Sequence, residues 1–235
     1  MRVTSLHSWA VNPIQAIAIQ KDLSERIDLR LPRDFSLRYV AGADVSVDRE
    51  RERIYAAVVV LSVPDLMVVE IRQSAMPPEF PYVPGLLTFR EGKVLAAAFE
   101  QVQTPCDLVV FDGQGLAHPR GLGIASHFGL LLGIPTVGVG KSKLVGDYGE
   151  PGPDKGSSSP LLYKGERVGT VLRTRRGVRP VFVSPGNLID HASAVDVVLG
   201  TCTRYRLPEP TRQAHLEARR LRSEKLEVGD LKEFA

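Results

Sequence analysis

Leu108-Val-Val-Phe111 is the segment that most limits what this chain can become. Four consecutive apolar residues have no polar face to give to water, so a strand here must be covered on both sides, as in the interior of a helix-flanked sheet. An alanine-rich helical stretch, Glu91 to Gln103, precedes it. His118 to Gly133, with apolar residues at helical spacing, follows, and then a second short apolar run, Thr136–Val139. Upstream, Leu37–Val47, Ile54–Val63 and Leu66–Arg72 read as strands, and Pro64-Asp65 predicts an antiparallel hairpin between the last two. A meander followed by helix–strand crossovers predicts an α/β fold, a mixed sheet with helices on its faces.

The remaining elements fit that frame. Pro13 to Ile27 reads as an amphipathic helix, Arg167–Arg173 and Val181–Ser184 as strands turning at Arg176-Gly177, Asp190 to Leu199 as a helix with Asp190 near its start, and Pro210 to Leu226 as a charged helix. Residues 146–160 are Gly, Pro, Ser and charge without period, which predicts a flexible loop. The 235 residues suit one catalytic domain spanning 1–235. No apolar run reaches the ~18–20 residues of a membrane span, and no signal core opens the chain, so an intracellular, cytoplasmic location without membrane contact is expected. Cys106 and Cys202 are expected to be buried thiols, which leaves thiolate zinc sites unsupported. The net charge of +3 is compatible with a polyanionic partner and does not establish one. Two basic clusters, Arg173/Arg175/Arg176/Arg179 and Arg219/Arg220/Arg222, read either as solvated faces or as phosphate contacts.

Several positions carry chemistry. Alternation puts Val40, Gly42, Asp44, Ser46 and Asp48 on one face of a strand, where a mid-strand aspartate needs a reason. Asp112 ends the apolar strand and opens Asp112-Gly-Gln-Gly, either a turn or a ligand site at a strand's carboxyl end. Glu91 opens a helix on this reading, which alone would be ordinary dipole complementation. Together the three acids match what a two-metal phosphodiester site requires, and hard oxygen donors favour magnesium or manganese. Lys141, just past Thr136–Val139, stands either on the surface or where it would stabilise charge on a scissile phosphate. His118, His127 and His215 are candidate proton carriers or phosphate contacts. Tyr82, held between Pro81 and Pro84-Gly85, is either core or a wedge for a base stack.

The chain resembles the endonuclease V family, the deoxyinosine 3′-endonucleases, over nearly its whole length. The resemblance rests on Gly42-Ala-Asp-Val-Ser46, Pro81-Tyr-Val-Pro-Gly-Leu-Leu-Thr-Phe-Arg-Glu91, the run Asp112 to His127, Gly138-Val-Gly-Lys-Ser-Lys-Leu144 and Val183-Ser-Pro-Gly-Asn187. Val83 and Thr88 are mild variants where the family often has Ile and Ser. The resemblance implies a ribonuclease H-like fold and cleavage of the second phosphodiester 3′ to inosine, leaving 3′-hydroxyl and 5′-phosphate. It implies Asp44, Asp112 and Glu91 as metal-binding carboxylates, Lys141 and His215 as further catalytic groups, and Tyr82 as the wedge. Arg90 and His118 are expected to support them. Mg2+ is the implied cofactor, with Mn2+ able to substitute, and the implied partner is inosine-containing DNA; a monomer is expected.

Hypoxanthine lacks guanine's exocyclic amino group and pairs weakly, so extruding it is relatively easy. Gly85, Gly113, Gly115 and Gly123 are expected either to bring backbone against the flipped base or to serve tight turns. Two rival readings stand beside this one. An endoribonuclease for inosine-containing RNA would use the same groups. A catalytically silent nucleic-acid-binding module would be expected to have lost an acid, since clustered carboxylates repel phosphate, and all three acids are present.

Overall fold

The computed structural model describes residues 1–224. An eight-stranded mixed sheet collects β1 (Tyr39–Asp48), β2 (Arg53–Ser62), β3 (Val68–Met76), β4 (Leu108–Phe111), β5 (Thr136–Gly140), β6 (Ser158–Tyr163), β7 (Glu166–Leu172) and β8 (Val181–Asn187). Their spatial order is β3-β2-β1-β4-β5-β8-β7-β6. β1, β4 and β5 are parallel neighbours, while β2–β3 and β8–β7–β6 are antiparallel wings. The helices are α1 (Pro13–Ser24), α2 (Leu87–Glu100), α3 (Ile124–Leu132), α4 (His191–Thr201) and α5 (Glu209–Glu224). None of the described helices is long and apolar enough to cross a membrane.

The pleat divides the core. Ala41, Ala43, Val45 and Val47 of β1 join Phe99 of α2, Phe111 of β4 and Phe128 of α3 on one face. Those three rings lie 5.3–5.9 Å apart, centroid to centroid. Val40 faces the other way, with Val198 of α4 and Ala214 of α5. Asp44 belongs to that second face by alternation, and α5 is the helix that covers it. The parallel register is pinned at its start, where the Asp107 carboxylate accepts the backbone N–H of both Arg38 and Tyr39 at 2.8 Å. Ala43 then pairs with Phe111, so the next step brings Asp44 level with Asp112.

Gly42 lets α5 come this close. A Cβ there would sit 2.0 Å from the Pro210 carbonyl oxygen, a backbone atom with nowhere to turn. Gly42→Ala is expected to lift the start of α5 and cost at least about 1–3 kcal/mol, as overpacking does. Thermal melting checks it, and an unchanged midpoint would mean that α5 docks without that contact.

The structure moves several boundaries. α2 begins at Leu87, so Glu91 lies in its second turn and does not open it. His118 precedes α3, which starts only at Ile124, after Pro119 and two glycines have broken the run. The stretch 146–160 contains the start of a strand, because Ser158–Pro160 belong to β6. The rest of it is tied back: Asp147 and Leu162 exchange backbone hydrogen bonds of 2.8 and 2.9 Å. The Arg173 guanidinium donates to the carbonyls of Gly152, Pro151 and Val178. Arg173 is thus a buried structural residue and leaves the basic surface cluster. In the second cluster Arg220 pairs with Glu217 and Glu224, as on a solvated helix face. Lys225 and Leu226, placed in the last helix from sequence, lie outside the described residues. Both cysteines are buried and unpaired.

Candidate active site

The middle of β1, the carboxyl end of β4 and one face of α5 converge on Asp44, Asp112 and His215, which each offer a ligand atom within 4.8 Å of the others. His215 Nδ1 lies 2.7 Å from Asp44 Oδ2, so the imidazole donates there and its ring is oriented by β1. The Asp112 backbone N–H reaches Ala43 O at 3.3 Å, and its carboxylate pairs with the Lys141 ammonium. Both aspartate side chains are only 12% exposed, against 38% for His215 and 42% for Lys141. Acids lie deep and the basic groups reach in from the rim.

This arrangement is short of positive charge. Burial, and then the charge of Asp112, push the Asp44 carboxyl up to about 6, against the pull of the Val45 N–H and His215. Burial, and then Asp44, push Glu91 up to about 8, with Arg90 opposing and Asp112 adding to the rise. Two carboxylates with a third acid beside them and no thiolate offer the oxygen donors that a hard divalent cation takes, and the imidazole adds a nitrogen donor at their side. Glu91 stands electrostatically within the cluster but outside the tight triplet, whose third member is His215.

Beside the acids, the loop before α2 is built to hold one ring in water. Phe80 is buried with Leu86, Phe89 and Ala16, while Tyr82 is 72% exposed. Gly85 takes φ +77°, and its carbonyl accepts from Gln20 Nε2 (3.0 Å), His118 Nε2 (3.0 Å) and Arg120 Nη2 (2.6 Å). Arg90 Nη1 holds Phe80 O at 2.7 Å. The prolines were readable as stiffeners; Gln20 and Arg120 were not singled out from sequence. Arg120 sits inside the run Asp112 to His127, which was the available signal.

The histidines divide. Burial and the Arg120 charge lower His118 to about 4, so it is a neutral donor to Gly85 O and holds the loop. His127 is fully buried and lowered to about 3, with its Nε2 2.6 Å from His7 Nε2 and its ring stacked on Trp9. It packs the interior and leaves the set of proton carriers.

A cavity of about 400 Å³ opens between the loop and the acids, lined by Tyr82, Gly85, Gly113, Gly123, Asp112 and Lys141 among others. Gly115 is not on its wall: a Cβ there would lie 2.0 Å from Pro185 O, so this glycine serves β8 packing. Gly123 does both, since its Cβ would meet Gln114 O at 2.2 Å.

The family model described as Endonuclease V matches residues 21–216, which takes in Asp44, Tyr82, Glu91, Asp112, Lys141 and His215. The chain belongs to the endonuclease V family. The endonuclease V of Alkalilimnicola ehrlichii is 51% identical over 90% of this chain and 93% of its own length. The crystal structure of endonuclease V from Streptomyces avermitilis superposes with a TM-score of 0.88 at 41% identity, covering 96% of this chain and 99% of that one. Endonuclease V from Ciona intestinalis, solved with a 23mer DNA containing an inosine followed by a ribo-adenosine, gives a TM-score of 0.77 at 26% identity over 92% and 100% of the two chains. The mixed sheet is accordingly the ribonuclease H-like fold of the endonuclease V structures, and the chain is a nuclease by family.

Proposed function

We propose that this chain is a DNA-repair endonuclease that extrudes deoxyinosine and hydrolyses the second phosphodiester 3′ to it. The observation that carries the reading is one continuous site: the cavity that would take the base shares Asp112 and Lys141 with the acidic cluster, and Tyr82 stands on its rim. The inosine-bearing DNA held by the Ciona relative supports the choice of base.

Asp44, Asp112 and Glu91 would hold Mg2+, with His215 beside or among the ligands and Mn2+ able to replace it. When bound, the cation would lower the pKa of a coordinated water and offset charge on the leaving oxygen. Water attacks phosphorus in line; the new P–O bond forms as the bond to O3′ breaks, leaving 3′-hydroxyl and 5′-phosphate. Lys141 offsets negative charge that builds on the phosphoryl oxygens. Asp44 keeps the His215 ring turned inward. Tyr82 fills the stack vacated by the flipped base, and backbone at Gly85, Gly113 and Gly123 leaves no room for a 2-amino group.

Tyr82→Ala is expected to weaken binding to inosine-containing duplex by the worth of one stacked base, about 1–3 kcal/mol or about 5- to 150-fold in Kd. Titration with labelled duplex and single strand reads it; equal loss on both would remove the wedge role. A second reading, cleavage of inosine-containing RNA, is favoured by the ribo-adenosine that follows inosine in the Ciona complex. Discrimination would then depend on contacts to the 2′-hydroxyl.

A further inference from the structure

Lys141 is the first residue beyond β5, and what fixes it there is not the sheet. The antiparallel ladder between β5 and β8 ends at the pair Gly140 and Phe182. Beyond that pair β8 has only Val181 left, and Pro180 before it has no N–H to give, so the ladder runs no further. The Arg206 guanidinium, from the connection between α4 and α5, occupies this gap. Its Nε donates to Arg179 O at 2.9 Å, and its Nη2 donates to both Pro180 O (2.7 Å) and Lys141 O (2.8 Å). Its own backbone is anchored, because Arg206 O accepts from Thr174 Oγ1 at 2.6 Å. The residue is half-buried and close enough to Asp112 to feel its charge. On the other side of the same loop, Gln114 Nε2 donates to Ser142 O at 3.1 Å.

We infer that Arg206 is a positioning residue: its planar fork ties the Lys141 main chain to the segment that leads into β8 and so holds the ammonium against Asp112. A guanidinium suits the task because one rigid group spans three carbonyls, which a single ammonium on a flexible stem cannot reproduce. Arg206 acts through Lys141 and need not touch the nucleic acid. The inference rests on the proposed role of Lys141 in phosphodiester cleavage.

The test is a double-mutant cycle on single-turnover cleavage of inosine-containing DNA in Mg2+, using wild type, Arg206→Ala, Lys141→Ala and the double variant. Arg206→Ala should lower the cleavage rate at saturating DNA by about tenfold to a hundredfold, the scale of small misplacement of a catalytic group, with little change in KM. In the Lys141→Ala background the same change should cost less than about twofold, because the group being positioned is gone. Arg206→Lys should stay near the alanine level, while guanidinium added to Arg206→Ala should restore part of the rate. If Arg206→Ala folds poorly, Arg206→Gln carries the cycle. Labelling of Lys141 by an amine reagent in the metal-free protein gives a readout free of activity, and it should speed up in either variant. Equal losses in both backgrounds, or labelling that does not change, would overturn the inference. A wild type that leaves the inosine substrate uncut, with labelling still responding, would instead strike at the functional reading and leave the positioning role standing.

Discussion

Asp112→Asn and Asp44→Asn should each lower single-turnover cleavage of inosine-containing DNA by at least about a thousandfold, while leaving most of the affinity for the lesion. The size follows from what is removed. A cation held at a phosphodiester stabilises several kcal/mol of developing charge, and each ~1.4 kcal/mol is a factor of ten. Asparagine keeps the shape of the side chain, so the change is one of charge. Asp112 loses its pairing with Lys141 as well, and Asp44 its charged partner for His215. Affinity is retained because the wedge and the cavity backbone remain. Rates measured at saturating enzyme, beside direct binding, separate the two quantities. Cleavage within about tenfold of wild type in either variant would take that aspartate out of the metal site.

Asp44→Asn should also stabilise the metal-free protein at alkaline pH. Asp44 is pushed up to about 6 and Glu91 to about 8 in the folded chain, from ordinary values of 3.8 and 4.5. Between those limits the folded state keeps a proton that the unfolded chain has released, so stability falls as pH rises from about 4 to about 8. Below pH 4 the acids are protonated in both states and the penalty disappears. For Asp44 alone it reaches a few kcal/mol above pH 6, on the order of 1.4 kcal/mol per unit of displacement. Asp44→Asn should therefore melt higher than wild type at pH 8 in EDTA and about equally at pH 4. Mg2+ should raise the wild-type midpoint more at pH 8 than at pH 5, because it supplies the charge that the carboxylates lack. A melting curve independent of pH, or one in which Asp44→Asn is destabilised at pH 8, would contradict this electrostatic account.

What could be read from sequence follows from the range of the forces involved. Leu108–Phe111 was legible to the residue because an apolar run bounded by aspartates leaves one solution. Asp190 was legible as a helix start because capping is local: its carboxylate accepts from the N–H of Ala192 and Ser193. α2 was not, since its N-cap, Leu86, has no side-chain cap to announce it, and the start was displaced to Glu91. β6 hid in a Gly/Pro/Ser composition because it is an edge strand, with mostly exposed side chains and one long ladder, to β7, beside the single Asp147–Leu162 bridge. Within the site, the acids and Tyr82 could be named from their motifs. The closeness of His215 to Asp44, 171 residues apart in sequence, could not, because it depends on Gly42 admitting α5. The groups that hold the site in shape (Gln20, Arg120 and Arg206) act on main-chain carbonyls, which leave no mark in a residue pattern.

The most direct test of the central claim uses matched end-labelled oligonucleotides, each with one inosine, as DNA and as RNA, in Mg2+ or EDTA. The expected result is a nick in the DNA at the second phosphodiester 3′ to inosine, with a 3′-hydroxyl, present in Mg2+ and absent in EDTA. Cleavage of the RNA alone would contradict the DNA-repair assignment. No cleavage of either in Mg2+ or Mn2+ would contradict the catalytic reading of Asp44, Asp112 and Glu91 itself.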